Sequence, residues 1–296
     1  MKTKQRSSRI TLAWLSGLSL ALGGCGGTDN GTGTVTVTTW GEDYIEEGLP
    51  SDAFPEDHFS VKYSRFLVVL HDVEIADSAG KVGAKLERPL VFDMVKSGPG
   101  RDKRLSTFEL EAKSWPKVSY QMGPITDDAE PGEEASWDDV QELIDDQASV
   151  HVEGTATSPE GKEWSFNWSF APATLYANCR GEQDGKELDG VLVTDGADQE
   201  VQITVHGDHF FYDDIQSEES VPRFLALANA DANGDGEITL EELDQVPLYT
   251  IPAELGSYGT GALGNVNTLG DYERTLARTL GHYRGEGSCD SEEVDD

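Results

Sequence analysis

Positive charge is what this sequence has least of. It holds 22 lysines and arginines against 56 aspartates and glutamates, a formal net charge of −34 at pH 7. Such a surface repels phosphate backbones and anionic lipid, which excludes nucleic-acid binding. It also raises the local concentration of cations. Acidic surfaces equally keep proteins soluble in saline surroundings, and the charge alone does not choose between these readings. Catalytic signatures are missing too: there is no Gly-x-Ser-x-Gly, no His-Glu-x-x-His, no phosphate loop and no dinucleotide fingerprint. Carboxylate pairs occur throughout so acidic a chain, and none stands out as an acid/base couple. The sequence therefore reads as that of a binding protein, not an enzyme. No alternation of strand and helix patterns points to a parallel sheet. The apolar run from Ile10 to Leu22 is too short for a spanning helix.

That run follows Lys2, Lys4, Arg6 and Arg9, so residues 1–24 have the layout of an export signal. It ends in Leu22-Gly23-Gly24-Cys25, a large aliphatic residue, two small ones and a cysteine. This resembles the lipobox of bacterial lipoproteins. The resemblance implies that Cys25 is lipidated on sulfur and becomes the mature N-terminus. Gly26, in place of an aspartate, implies sorting to the outer membrane, on its periplasmic or surface side. The segment 25–39, small, polar and almost uncharged, reads as a flexible tether that holds the folded part off the membrane. Three cysteines are present. With Cys25 carrying lipid, Cys179 and Cys289 remain for an oxidising compartment and are expected to pair. The loop so closed is about 110 residues and is worth on the order of 4–5 kcal/mol in the chain-entropy model.

Residues 40–208 show mostly period-two alternation. HFSVKYSRFLVVLHDVEIA reads as one long strand, or as two with a bulge, and PLVFDMVK, STFELEA, KVSYQM, SVHVEGTAT, EWSFNWSF, ATLYANC, DGVLVTD and EVQITVHG follow it. In EWSFNWSF, Trp164, Phe166 and Trp168 lie on one side. The expected class is mainly β with α structure toward the C-terminus: an antiparallel β-sandwich, then helices over 209–296. One helix is expected among the strands. Ser136-Trp137-Asp138-Asp139 reads as a capping box, and Trp137, Val140, Leu143 and Ile144 recur at helical spacing. WGEDYIEEGLP, residues 40–50, reads as packing Trp40, Tyr44 and Ile45 onto the sandwich, with service of its acids to a site as the lesser reading. Beyond residue 212 one helix is expected around Val221, Phe224, Leu225 and Ala228. A second carries Leu240, Leu243 and Val246, and a last one runs from Leu269 to Leu280 with Thr268 as its cap.

Between the first two of these helices stands DANGDGEITLEE, residues 231–242. Asp231, Asn233 and Asp235 recur at alternate positions, Gly236 follows, then Ile238 and Thr239, and Glu242 closes the stretch. This resembles the EF-hand. The resemblance implies a bound Ca2+ held by the side chains of Asp231, Asn233 and Asp235, the main-chain carbonyl of Glu237, Thr239 directly or through water, and both oxygens of Glu242. Gly236 permits the positive φ that bends the chain round the ion. Extracellular loops of this kind often bind at about 10⁻⁴–10⁻³ M, which implies a structural site rather than a switch. EF-hand loops usually come in pairs. Residues 265–276, NVNTLGDYERTL, occupy the place of a second loop but lack its ligands at the fifth and twelfth positions. They are either a degenerate half, with Tyr272 beside Ile238, or a plain connection.

HGDHFFYDD, residues 206–214, is a second candidate. His206, Asp208, His209 and Asp213, joined by His282, would suit zinc or copper. Residues three apart on a strand face opposite ways, so a turn is needed to bring His206 and His209 together. Otherwise the cluster is a hydrogen-bonded junction between sandwich and helices. His58, His71 and His151 read as surface or edge residues. Two functions follow as expectations: an exported calcium-binding lipoprotein whose sandwich binds a protein, a glycan or nothing small, or a periplasmic zinc- or copper-binding protein.

Overall fold

The computed structural model describes residues 31–96, 102–217 and 219–294. The expected export signal and Cys25 lie outside the described residues. The chain begins with β1 (Thr32–Trp40), α1 (Glu42–Glu46), β2 (Ser60–Ala76), β3 (Val82–Leu86) and β4 (Leu90–Asp93). Next come β5 (Lys103–Glu111), β6 (Ser114–Trp115), β7 (Lys117–Met122), β8 (Glu130–Pro131) and α2 (Trp137–Asp146). β9 (Val150–Thr157), β10 (Glu163–Phe170), β11 (Thr174–Gln183), β12 (Lys186–Asp189), β13 (Val191–Leu192) and β14 (Asp198–Val205) complete the middle of the chain. The last third holds α3 (Leu225–Ala228), β15 (Glu237–Ile238), α4 (Leu240–Leu243), α5 (Leu269–Leu276), β16 (Gly281–Tyr283) and β17 (Ser288–Glu293). No helix among the described residues is long and apolar enough to cross a membrane.

The protein is mainly β, in several sheets, as a sandwich requires. One sheet runs β16-β14-β1-β5; the main path of the larger one is β12-β11-β7-β2-β9-β10-β15. Pairing is mostly antiparallel, but not throughout: β1–β14, β10–β15 and β4–β8 are parallel. Nothing forbids this, because the partners of each pair are far apart along the chain and no tight hairpin joins them.

The first strand corrects an expectation. Residues 32–40, within or next to the expected tether, form β1, whose Val35 and Val37 are fully buried. Its low charge suggested flexibility, yet Thr-Val alternation is also the composition of a half-buried strand. The long segment after residue 59 is one strand with bulges, since the register of β2 slips against β9 between Tyr63 and Arg65 and against β7 between His71 and Glu74. Phe66, Val68 and Leu70 enter the main core. Leu67 and Val69 face the other way, into a second cluster with Val140 and Leu143 of α2. α2 thus covers the middle of β2. Its capping box forms as expected, with the Ser136 hydroxyl accepting from the Asp139 amide and the Asp139 carboxylate accepting from the Ser136 amide. Trp137 stands outside the apolar stripe, 63% exposed.

The last third is less helical than its periodicity suggests. α3 and α4 are single turns, and Val221 and Pro222 lie before α3 in extended chain, where Pro222 bridges to Tyr212. Proline and a β-branched residue favour that conformation. The amides of Phe224 and Leu225 instead donate to Asp57 Oδ2. α5 begins at Leu269, capped by Thr268, but ends at Leu276. The chain then returns to sheet: β16 joins β14, and β17 joins β11. Cys289 on β17 is bonded to Cys179 on β11.

α5 also carries a buried acid. Glu273 is 1% exposed, its Oε2 has no hydrogen-bond partner among the described residues, and burial holds its carboxyl well above the usual range. Between the unfolded value of about 4.3 and the raised folded value, the folded chain keeps a proton that the unfolded chain has lost. Stability contributed by the neutral form is therefore lost as pH rises through that window. Glu273→Gln is expected to melt with the wild type near pH 4 and above it by several degrees near pH 8, since each unit of displacement is worth about 1.4 kcal/mol. Melting curves across that range test this; equal pH slopes for the two chains would overturn it.

Candidate metal centres

The histidine cluster forms at the end of β14. The His206 amide donates to the Leu280 carbonyl, and the Tyr63 hydroxyl donates to the Gly207 carbonyl. A Cβ on Gly207 would lie 2.5 Å from Ile45 Cγ1, so only glycine fits between the strand end and α1. A 3-10 turn over Asp208–Phe211 then reverses His209 toward His206. This is the turn that strand geometry demanded. His282 arrives on β16, whose register places it opposite Thr204. One ligand atom from each of His206, His209 and His282 lies within 4.8 Å of the others. Ring centroids are 4.1 Å apart for His206–His282, 5.0 Å for His209–His282 and 5.4 Å for His206–His209.

The surroundings leave these rings able to act as ligands. Thr279 Oγ1 gives its proton to the Leu276 carbonyl and so accepts from His209 Nδ1–H at 3.0 Å, which leaves Nε2 of His209 with a free lone pair. Burial, then the neighbouring His282 and His206, holds the His209 imidazole well below its ordinary value. Burial and His206 bring His282 down to about 4. Both rings are neutral at neutral pH, the state a metal ion requires. His282 Nδ1 is buried without a hydrogen-bond partner among the described residues.

Two carboxylates absent from the expected ligand set adjoin the rings. Glu42 of α1 places Oε1 at 3.5 Å from His206 Nδ1, and Glu286 completes a second triad with them. Glu42 is pushed up to about 8 by burial and then by the carboxylates of Asp208 and Glu286. Of the residues in 40–50 expected to pack, Ile45 lies in the core while Tyr44 stays exposed, and the acid Glu42 lies beside His206. Its acidic neighbours along the chain gave no sign of which acid that would be. Asp208 accepts from the Tyr212 hydroxyl through Oδ2, and its Oδ1 is buried without a hydrogen-bond partner among the described residues. Asp213 is not part of the cluster: Arg223 Nε donates to it at 2.6 Å, and the Val221 amide donates to its other oxygen.

The isolated histidines are corrected in part. His58 is exposed, but His71 and His151 are buried, His71 against Asp72 and His151 between Ser169 and Glu153. Each sits on a strand crossed by neighbours on both sides, which alternation in one strand does not reveal. His151 forms a third triad with Glu142 and Glu153, yet Arg65 already pairs with both of those carboxylates and with Asp139. A guanidinium fills the position that a cation would take.

The loop 231–242 is held by its own polar side chains. Asp231 accepts from the amides of Gly234 and Gly236, Asn233 from that of Asp235, and Asp235 from that of Glu237. Gly236 has φ +83. Thr239 caps α4 and Glu242 accepts from its amide and hydroxyl. The loop is held against β10. Ile238 pairs with Phe166 of β10, the Ser165 amide donates to the Gly236 carbonyl, and Trp168 Nε1 donates to the Ile238 carbonyl at 2.7 Å. Residues 265–276 do something else: Asp271 accepts from the Asn267 and Thr268 amides and starts α5. Tyr272 lies in a separate cluster from Ile238.

Fold and side chains together define a mainly β chain with converging metal-ligand groups. No family model matches this chain, and no curated protein does. Among solved structures, MbnP from Methylosinus trichosporium aligns with 12% sequence identity and a TM-score of 0.31, covering 61% of this chain and 77% of that one.

Proposed function

We propose that this chain is an exported metal-binding protein with two chemically different sites on a β scaffold. The first holds zinc or copper on His206, His209 and His282. The convergence of these three imidazoles, with His206 buried and His209 and His282 held neutral, carries the reading. Nitrogen donors of this kind suit zinc and copper better than calcium or magnesium. Its test is titration of zinc and of copper into chelator-stripped full chain, compared with His209→Ala and His282→Ala. Each variant is expected to lose at least about 100-fold in affinity, because even supporting groups of such sites are worth about 10–100-fold. Unchanged affinity in both variants would overturn the assignment.

The second site is the loop 231–242, with Ca2+ on Asp231, Asn233, Asp235, the Glu237 carbonyl, Thr239 and Glu242. The resemblance to the EF-hand supports it, as does the curl of the loop round Gly236. The Cys179–Cys289 disulfide supports an oxidising compartment. The lipobox resemblance of Leu22-Gly23-Gly24-Cys25 supports a lipid anchor on Cys25 and an outer-membrane location. In this reading the protein binds ions and carries out no reaction, and its β body is the scaffold that holds both sites.

A further inference from the structure

The two triads beside β14 have only His206 in common: His206, His209 and His282 form one, and Glu42, His206 and Glu286 the other. We propose that Glu42, His206 and Glu286 hold a second divalent transition-metal cation next to the first, with the His206 imidazole shared between the two. The proposal rests on the three-imidazole reading above and extends it from one ion to a pair.

An imidazole carries nitrogens on two sides of its ring. Nδ1 of His206 faces Glu42 Oε1 at 3.5 Å, and Nε2 has only a long contact of 3.4 Å with the Gly285 carbonyl. His206 itself is 4% exposed, so neither nitrogen is served by bulk water. The carboxylates around it lack positive partners. No lysine or arginine among the described residues pairs with Glu42, Asp208 or Glu286, in a structure where Asp139, Asp213 and Asp244 each take an arginine. Glu42 Oε1 and Asp208 Oδ1 are both buried without a hydrogen-bond partner among the described residues. Burying acids in this state is costly unless a cation neutralises them.

To bond both ions His206 would release its single ring proton to solvent and act as an imidazolate, and Glu42 would give up to solvent the proton that its burial favours. Glu286 is exposed while the three rings are not, so the carboxylate triad is the side from which ions arrive.

The test is zinc stoichiometry of the full chain. Chelator-stripped protein is dialysed against zinc buffered at fixed free concentration, with saturating calcium present to occupy the loop 231–242, and bound zinc is counted by elemental analysis. Two zinc ions per chain are expected for the wild type. Glu286→Gln and Glu42→Gln, which keep size and shape, are expected to halve that to one, and His206→Ala is expected to weaken both. One zinc in the wild type, or two that survive both glutamine variants, would overturn the second position and leave the three-imidazole site standing. No bound zinc at all would overturn the second position together with the zinc reading of the first.

Discussion

Cys289→Ser is expected to lower the stability of the folded chain by about 4–5 kcal/mol, the largest effect of any single substitution considered for this protein. The bond joins residues separated by 110 positions, and in the chain-entropy model that long a loop is strongly restricted in the unfolded state. Cys289 is the better position to test. Cys179 is fully buried, so a serine there adds the burial of a hydroxyl to the loss of the bond, whereas Cys289 is only partly buried. The enclosed segment contains β14, both candidate metal centres except Glu42, and β16. Its far end is β17, an edge strand with exposed side chains that contributes little burial of its own. Each kcal/mol moves the melting temperature of a chain this size by about 2–4 °C, so a fall of about 10–15 °C is expected. Thermal and denaturant melts check it. A shift below about 2 °C would mean that β17 pairing alone fixes the tail.

Much of this architecture was readable because burial imposes a period. Trp164, Phe166 and Trp168 alternate with Ser165, Asn167 and Ser169, and the structure buries the first set and exposes or half-exposes the second. The capping boxes at Ser136 and Thr268 are local, and local chemistry is legible. What escaped has one physical feature in common: it depends on partners distant in sequence. β1 is a strand because β14 and β5 lie on either side of it, and composition alone cannot separate such a strand from a polar tether. α3 starts only at Leu225, where Asp57 accepts from the Phe224 and Leu225 amides, and the chain before α4 is held as β15 on β10.

The candidate metal centres divide along the same line. Asp231, Asn233, Asp235 and Glu242 stand in one short segment whose spacing is itself the signal. His206 and His209 were visible as a local pair that needed a turn, and His282 as a distant addition. Glu42 was weighed only as one acid among several. Its nearness to His206 is created by α1 following β1, by β1 pairing in parallel with β14, and by Gly207 letting Ile45 approach. None of these can be read from residues 40–50 alone.

Calcium is expected to stabilise chelator-stripped protein by about 2.7 kcal/mol when present at a hundredfold excess over its dissociation constant, a rise of about 5–10 °C in melting temperature. Glu242→Gln is expected to abolish that rise while leaving the calcium-free melting temperature within about 2 °C of the wild type. The separation follows from the two roles of this side chain. As the third residue of α4 it accepts hydrogen bonds from the amide and hydroxyl of Thr239, and a glutamine carbonyl oxygen accepts them as well. As a bidentate ligand it offers two anionic oxygens, which glutamine cannot supply. The same ion is expected to change tryptophan emission through one ring in particular, since Trp168 Nε1 donates to the carbonyl of Ile238 inside the loop. Trp168→Phe should keep the thermal response and lose most of the emission change. If Glu242→Gln lowers the calcium-free melting temperature and leaves the calcium response intact, the residue acts only as a cap. The loop would then be a turn stabilised by its own carboxylates, with Ile238 anchored to β10 irrespective of any ion.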